Sequence, residues 1–407
     1  MLFSRLKKIA TFRLYIMKFS GLRPFYWDYS RDGLVLSHPF IFTAWKSMIY
    51  ASIFVVPVVL SMLKTHLDIV ISNNEDDDNN KIISKSRLVL VFGTIEVLLT
   101  VFAIILATIL IEDRMEIKNI IENCLTLNTR IYKLFGKNLE KREDVKKAIL
   151  KFELVTLLVC FSTIMFVAVF PITFFHSADP FHRMLDDVFG IQVTLSTIPI
   201  ILSLGYGREV FVVANTFAIF LLSFLLPKCF CMVWMSAIMP LEMTKERHIQ
   251  TKYVGPVVSQ RIIWIYRCYQ LYWIHWNGIM AKFRLALHFA MMQILVVAAS
   301  VLLIRYSSNL MRNGEFLFLL LILSGFILPL IMAKLECSMV GEVVEDSLKM
   351  KEKLLNLNGR KSFVYKVAKS FRPHRVSPTH PFFTLSNNTF LEFLDVAVGH
   401  VVNCLLI

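Results

Sequence analysis

The residues best placed to do chemistry lie near the end of the sequence. Plotted at 100° per residue over a helix from Asn388 to Ile407, the side chains of Asn388, Glu392, Asp395, Gly399, Asn403 and Leu406 fall within roughly a quarter of the circumference. The opposite side, made of Phe390, Leu391, Phe393, Leu394, Ala397, Val398, Val401, Cys404 and Leu405, is apolar throughout. A charge in hydrocarbon costs about 3 kcal/mol or more, so a stripe of carboxylate, amide and glycine on a membrane-length helix requires water or a polar partner. Either that face lines a water-filled path, or it packs on neighbouring helices near the cytosolic interface. No bond-making constellation competes with it. The sequence contains no GxxxxGKS/T phosphate loop, HExxH, GxSxG or paired-cysteine motif, and its histidines are dispersed, as expected of interface and loop positions. Nothing argues for an enzyme, a cofactor or a metal site.

The elements that must position this stripe follow from composition. Of 407 residues 56% are hydrophobic and only 18% charged, well below the roughly 25% usual in soluble domains. That balance, with a mean hydropathy of +0.60, describes an integral membrane protein. A net charge of +14 is compatible with nucleic-acid binding in a soluble protein, but here the basic residues are interrupted by long apolar runs, the pattern of cytosolic loops. The N-terminal stretch MLFSRLKKIATFRLYIMKFSGLRPF has no sustained apolar core followed by a small-residue cleavage site, so it is not expected to be a removable signal. The seven cysteines lie in apolar runs or in loops expected in the cytosol, where no disulfide is anticipated.

Apolar stretches long enough to cross a bilayer occur at 39–63, 87–111, 152–176, 208–239, 285–306, 315–340 and 389–407. An eighth run, Val188 to Leu204, leaves the number of crossings to be decided by charge. Loops 1–38, 112–151, 240–284 and 341–388 carry 33 Lys and Arg in all, whereas 64–86, 177–207 and 307–314 carry five. The positive-inside bias therefore predicts seven spans with the N-terminus cytosolic and the C-terminus extracellular, and the eighth run stays outside. The resulting division is a cytosolic segment 1–38, a six-helix membrane domain 39–340, a cytosolic helical segment 341–388 and a last span 389–407. The fold class is all-α integral membrane with cytosolic helical extensions, predicted at Glu112 to Lys151 and Glu342 to Asn356 by apolar residues at helical spacing.

Most ionisable residues inside the spans, Lys46, Glu153, Arg305, Lys334 and Glu336, lie near span ends and are expected to snorkel to the interface. Glu96 lies deeper: it is either a carboxylate satisfied by a neighbouring helix, with Lys228 as one partner, which is the preferred reading, or a ligand or ion contact. The aromatic and basic run RIIWIYRCYQLYWIHWNGIMAKF, residues 261–283, leads directly into a span, which favours a protein-packing core below the membrane over a nucleic-acid surface. Because the predicted outer loops are short, a ligand from outside must bind among the outer halves of the helices. Phe166, Phe170, Thr173, Phe174 and His176 on the third span, with Phe211 and Asn215 on the fourth, offer an apolar, aromatic cavity with polar groups to orient a small organic molecule. The same residues read individually are packed aromatics.

The predicted topology is the reverse of a G-protein-coupled receptor, and no DRY or NPxxY signature is present. Residues 381–407, PFFTLSNNTFLEFLDVAVGHVVNCLLI, resemble the C-terminal signature of the insect-type gustatory and odorant receptor superfamily: a phenylalanine, a small-polar turn, then Thr389 and Phe390 opening the last helix. KFSGLRPF, residues 18–25, is similar to the N-terminal Gly-Leu-x-Pro-Phe pattern of gustatory receptors. The match departs from that family's ending of a Thr-Tyr pair, five apolar residues and Gln-Phe, because this chain reads Gly399, His400, VVNCL, Leu406 and Ile407. The resemblance implies a plasma-membrane, multi-pass, ligand-gated non-selective cation channel opened by a small organic tastant or odorant. It also implies a homo- or hetero-tetramer of related receptor subunits in contact with membrane lipid, with no nucleic-acid partner. Four copies of the last helix would surround a pore lined by Glu392, Asp395, Gly399, Asn403 and Leu406, with the carboxylates forming acidic rings and Leu406 an outer hydrophobic gate. The alternative is a non-channel protein of the same topology, a transporter or scaffold; the two halves of the chain show no repeat that would favour a transporter.

Overall fold

The structure, a computed structural model, describes residues 25–28, 33–36, 256–280, 284–312, 316–357, 360–375 and 388–406, together with short stretches or single residues between 56 and 67 and between 101 and 130, and residues 150 and 190. Five helices of the described residues organise the second half of the chain: α1 (Pro256–Met280), α2 (Arg284–Arg312), α3 (Phe316–Leu357), α4 (Phe363–Lys369) and α5 (Thr389–Leu406). The described residues depart from an all-helical chain in one place. Strands β1 (Phe25–Asp28) and β2 (Gly33–Leu36) form an antiparallel hairpin with Phe25 opposite Leu36 and Asp28 opposite Gly33.

Three helices are long and apolar enough to cross a membrane, over Ala286–Ser308, Ile322–Asn356 and Thr389–Leu406. They overlap the fifth, sixth and seventh predicted spans, and the described half of the chain is that of a helical membrane protein. Of the first four predicted spans, only residues 56, 59, 60 and 63 of the first and 101 and 105 of the second are described, all helical; the third and fourth, with Glu96, Lys228 and the candidate ligand residues Phe166, Phe170, Thr173, Phe174, Phe211 and Asn215, lie outside the described residues.

Small residues explain how α2 and α3 pack. A side-chain carbon added at Gly325 would sit 3.9 Å from the Ala299 Cβ, so the two helices approach as closely as two alanines allow. Between apolar helices in lipid no hydrophobic drive operates, and such close packing supplies the association energy. Ala299, Leu302, Leu310 and Ile322 form a buried cluster there, flanked by Leu303, Tyr306, Leu319 and Phe326. At the other end of the pair His288 meets Glu336, which makes α2 and α3 antiparallel. The rings of Phe289 and Phe393 and the contact of Arg305 with Cys404 set α5 parallel to α2. The three helices therefore alternate in direction along the chain.

α3 is 42 residues long and continues through Pro329 without a break. At 1.5 Å per residue it measures about 63 Å, roughly twice the hydrocarbon thickness of a bilayer, so its second half must leave the membrane. Onto that half folds the segment Phe371 to Arg375, which forms neither helix nor strand. Its backbone is satisfied by side chains instead. Tyr266 Oη donates to the Arg372 carbonyl at 2.8 Å, Lys351 Nζ to that of Phe371 at 2.7 Å and Asn277 Nδ2 to that of Arg375 at 2.6 Å, while the His374 amide donates to Ser347 Oγ at 3.0 Å. The Tyr266 ring stacks on Phe371 at 4.2 Å between centroids and on His374 at 4.4 Å. Burial pushes the Tyr266 hydroxyl up to about 12, with Ser347 opposing it, so it remains a donor. α1 supplies this surface through Ile262, Ile265, Tyr266, Tyr269, Trp273 and Trp276, all buried. One side of the aromatic run thus packs inside the protein, while Trp264, Leu271 and Ile274 on the other are exposed. α4 is held by Ser362, whose hydroxyl accepts from the Tyr365 amide, and buries Val364 and Ala368.

His374 is 1% exposed, and neither ring nitrogen has a hydrogen-bond partner among the described residues. Burial alone holds its pKa down at about 3 against an ordinary 6.5. The unfolded or released segment therefore takes up a proton first as pH falls. The neutral ring's contribution is complete above pH 6.5 and is lost progressively from 6.5 toward 3, by about 2 kcal/mol at pH 5. Hydrogen exchange of a peptide spanning 363–375 is expected to speed up on acidification from pH 7 to 5 beyond the intrinsic pH effect, and H374F, which retains an aromatic ring, to lose most of that excess.

Candidate functional site

The last helix is positioned by one of its faces. Thr389, Phe393 and Ala397 are buried, and Phe390, Leu394, Val401 and Leu405 half-buried, which draws a line down the helix at four-residue intervals from Thr389 to Leu405. α2 makes the larger contact and α3 the smaller one, near the start of the helix. Asn388, Glu392, Asp395, Gly399, Asn403 and Leu406 are all exposed. At 100° per residue their stripe is centred about 180° from the packed line. The five candidate site residues therefore share one face, and it is the face turned away from α2 and α3. Leu406 is 81% exposed, and a side-chain carbon at Gly399 would meet nothing within 4 Å. Between the two faces, Leu391, Val398 and Val402 form an exposed apolar flank. Leu391, Val398 and Cys404, placed on the apolar side by sequence, are exposed and not packed against another described element.

Each end of α5 is fixed by polar groups. At its start the carbonyl of Asn388 accepts from the amides of Leu391 and Glu392, and the Glu392 carboxylate lies in the first turn, where the helix dipole favours negative charge. The Lys334 ammonium sits 5.0 Å from the centroid of the Phe390 ring, and Phe393 stacks on Phe390 on one side while meeting Phe289 edge-on at the other. Beside Phe289, His288 Nε2 and Glu336 Oε1 are 2.9 Å apart, with the side chains 4% and 0% exposed. At the far end Arg305 Nη2 donates to the Cys404 carbonyl at 3.1 Å.

One expectation is corrected here. Glu336 does not snorkel to an interface: it is wholly buried against His288, because a carboxylate facing the next helix finds a hydrogen-bond partner closer than water. His288, on α2, and His374, in the segment 371–375, are both buried. The His288–Glu336 pairing has no local signature, because the two residues come from different helices. No group of three or more His, Cys, Asp or Glu that could hold a metal occurs among the described residues.

No family model matches the sequence, and no curated protein matches it. Solved structures do. The insect olfactory receptor OR5 of Machilis hrabei in complex with eugenol superimposes with a TM-score of 0.58 over 99% of this chain and 99% of that one, at 13% identity. A second structure of the same receptor gives a TM-score of 0.61 with the same coverage and identity. What is shared at that identity is the fold.

The stripe makes a direct prediction about solvent. In a C404S background, D395C and N403C in membrane-embedded protein are expected to react with a charged, membrane-impermeant methanethiosulfonate at least tenfold faster than A397C on the packed face. Equal rates at the three positions would mean that the stripe is not the wet side of the helix.

Proposed function

We propose that a chain with this fold and this last helix is a chemosensory receptor of the insect gustatory and odorant superfamily, acting at the plasma membrane as a ligand-gated non-selective cation channel. The observation that carries the reading is the direction of the α5 stripe. On a helix long and apolar enough to span a membrane, Glu392, Asp395 and Asn403 occupy the face that its own chain leaves uncovered. Lipid cannot take that face without a penalty of about 3 kcal/mol per carboxylate. Several copies arranged with the stripes inward around a shared axis remove the penalty by enclosing water. The closed ring that the resemblance implies has four copies, and the exposed flank of Leu391, Val398 and Val402 supplies an apolar surface beside the stripe.

In this reading Glu392 and Asp395 form acidic rings toward the inner end, which concentrate cations and repel anions. Gly399 keeps the middle of the path wide, Asn403 offers an uncharged hydrogen-bonding ring in place of the family's glutamine, and Leu406 forms the narrow apolar ring outermost. The ligand is a small organic molecule held in the outer half of the membrane domain by Phe166, Phe170, Thr173, Phe174, Phe211 and Asn215. The complex of the Machilis hrabei receptor with eugenol supports that class of ligand. The N-terminal and C-terminal sequence patterns favour a gustatory-like member. Opening requires that the ligand bind the open arrangement more tightly than the closed one.

Recordings from cells expressing only this chain, challenged with a panel of small volatile and sweet or bitter organics including eugenol, are expected to show evoked cation current. The detergent-extracted protein is expected to form four-fold particles. The double variant E392Q/D395N should lower unitary cation current by roughly twofold or more at low ionic strength, where fixed charge is least screened. Unchanged unitary currents would remove the two carboxylates from the pore, and single-chain particles without current would favour a non-channel membrane protein.

A further inference from the structure

We propose that Arg305 is a positioning residue that ties the outermost turn of α5 to α2 and so sets where Leu406 stands, an inference that rests on the channel reading for its consequence but not for the tie itself. The last described turn of α5 runs to Leu406, and side-chain donors commonly meet the carbonyls of such a turn. Arg305 Nη2 approaches two of them, the Cys404 oxygen at 3.1 Å and the Leu405 oxygen at 3.5 Å. A guanidinium there also places its charge at the negative end of the helix dipole.

The spacing of the contacts explains why a long side chain is needed. α2 and α5 are parallel and already in contact where Phe289 meets Phe393. From there to Arg305 the backbone of α2 climbs about 24 Å, and from Phe393 to Cys404 that of α5 climbs about 16 Å. The offset of about 8 Å is close to the reach of an arginine, and helical side chains lean toward their own N-terminus, which points Arg305 back toward the lower carbonyls. Between these two ends the interface is formed by small or short side chains on α5, Ala397 and Val401, which allow the helices to slide or turn on each other. Arg305 is therefore the polar link through which movement of α2, whose outer half carries the Leu302 and Leu310 cluster against α3, reaches the turn that bears Leu406.

Hydrogen exchange and single-channel recording test the two halves of this statement separately. In purified wild-type protein, R305Q and R305K, exchange of a peptide spanning 396–407 is expected to quicken at least fivefold in R305Q, with R305K intermediate because an ammonium can still donate to a carbonyl. Exchange unchanged in R305Q overturns the tie, whether or not the protein conducts. Spontaneous openings in planar bilayers are expected to show an open probability altered at least threefold in R305Q, partly restored in R305K, with unitary conductance unchanged. Faster exchange with unaltered open probability overturns the role at Leu406. If the wild-type protein never opens and forms no four-fold particle, the channel reading itself fails, while the exchange result still decides whether Arg305 holds the turn.

Discussion

A carboxylate on a membrane helix must be wet, paired or absent, and the described half of this chain is arranged around the two ways it meets that rule. Glu336 is paired, buried against His288 where α2 crosses α3. Glu392 and Asp395 are exposed on the face of α5 that no other described element covers. The difference follows from position. Glu336 points into an interface already closed by small residues and short side chains, so a neighbouring imidazole can replace its water. Glu392 and Asp395 point away from that interface, and their hydration has to be supplied by whatever lies beyond the single chain. The requirement for water on one side of α5 is thus a consequence of which side α2 and α3 have taken.

The same packing gives α5 an unequal grip along its length. Its start is held by three aromatic rings, a cation over one of them and the adjacent His288–Glu336 pair. Its end is held by a guanidinium on carbonyl oxygens, and its middle by alanine and valine. Aromatic stacking and a buried polar pair resist rotation because each has a preferred geometry. Alanine and valine surfaces are smoother, and a turn of a few degrees changes their contact little. A helix held in this way is least constrained at its middle, between the aromatic contacts at its start and the Arg305 contact at its end. Below the membrane helices, the extended half of α3 and the segment from Phe371 to Arg375 form a firmer platform, since four side-chain bonds to its backbone and two stacked rings must all be broken to release it.

How much of this could be read in advance depended on how local each cause was. The spans around α2, α3 and α5, and the helix over 342–356, follow from apolar runs and helical spacing, which are properties of adjacent residues. So does the stripe on α5: Glu392, Asp395, Gly399, Asn403 and Leu406 fall together by angle alone. The side on which that stripe would lie relative to the described helices was not local, and the exposure of Leu391 and Val398 beside it depended on how narrow the contact with α2 is. His288 and Glu336 are separated by 48 positions, and Tyr266 and Arg372 by 106, so their pairing emerges only when helices are packed. Arg305 was legible as a residue near a span end and invisible as a cap, because the carbonyls it reaches carry no side-chain identity. The same blindness hid the segment at 371–375, whose order comes from side chains on α1 and α3.

The divergent ending of the chain is intelligible in these terms. The resemblance places a glutamine near the outer end of the last helix, and this sequence has Asn403 followed by Cys404, Leu405 and Leu406. Asparagine offers the same amide on a shorter stem, so a ring of Asn403 would present donors and acceptors to passing ions across a wider opening than glutamine would. The narrowing must then come from elsewhere along the stripe, and Leu406, 81% exposed and one turn farther out, is the bulky residue on that face. An apolar ring excludes ions by making water retreat from a narrow passage, which depends steeply on radius. In the proposed channel, a gate that relies on leucine size rather than on amide contacts would be sensitive to where the last turn sits. The bond from Arg305 to that turn would, in that proposal, complement the lost glutamine: with weaker polar contacts at the axis, fixing the outer turn from behind would hold the passage to one width.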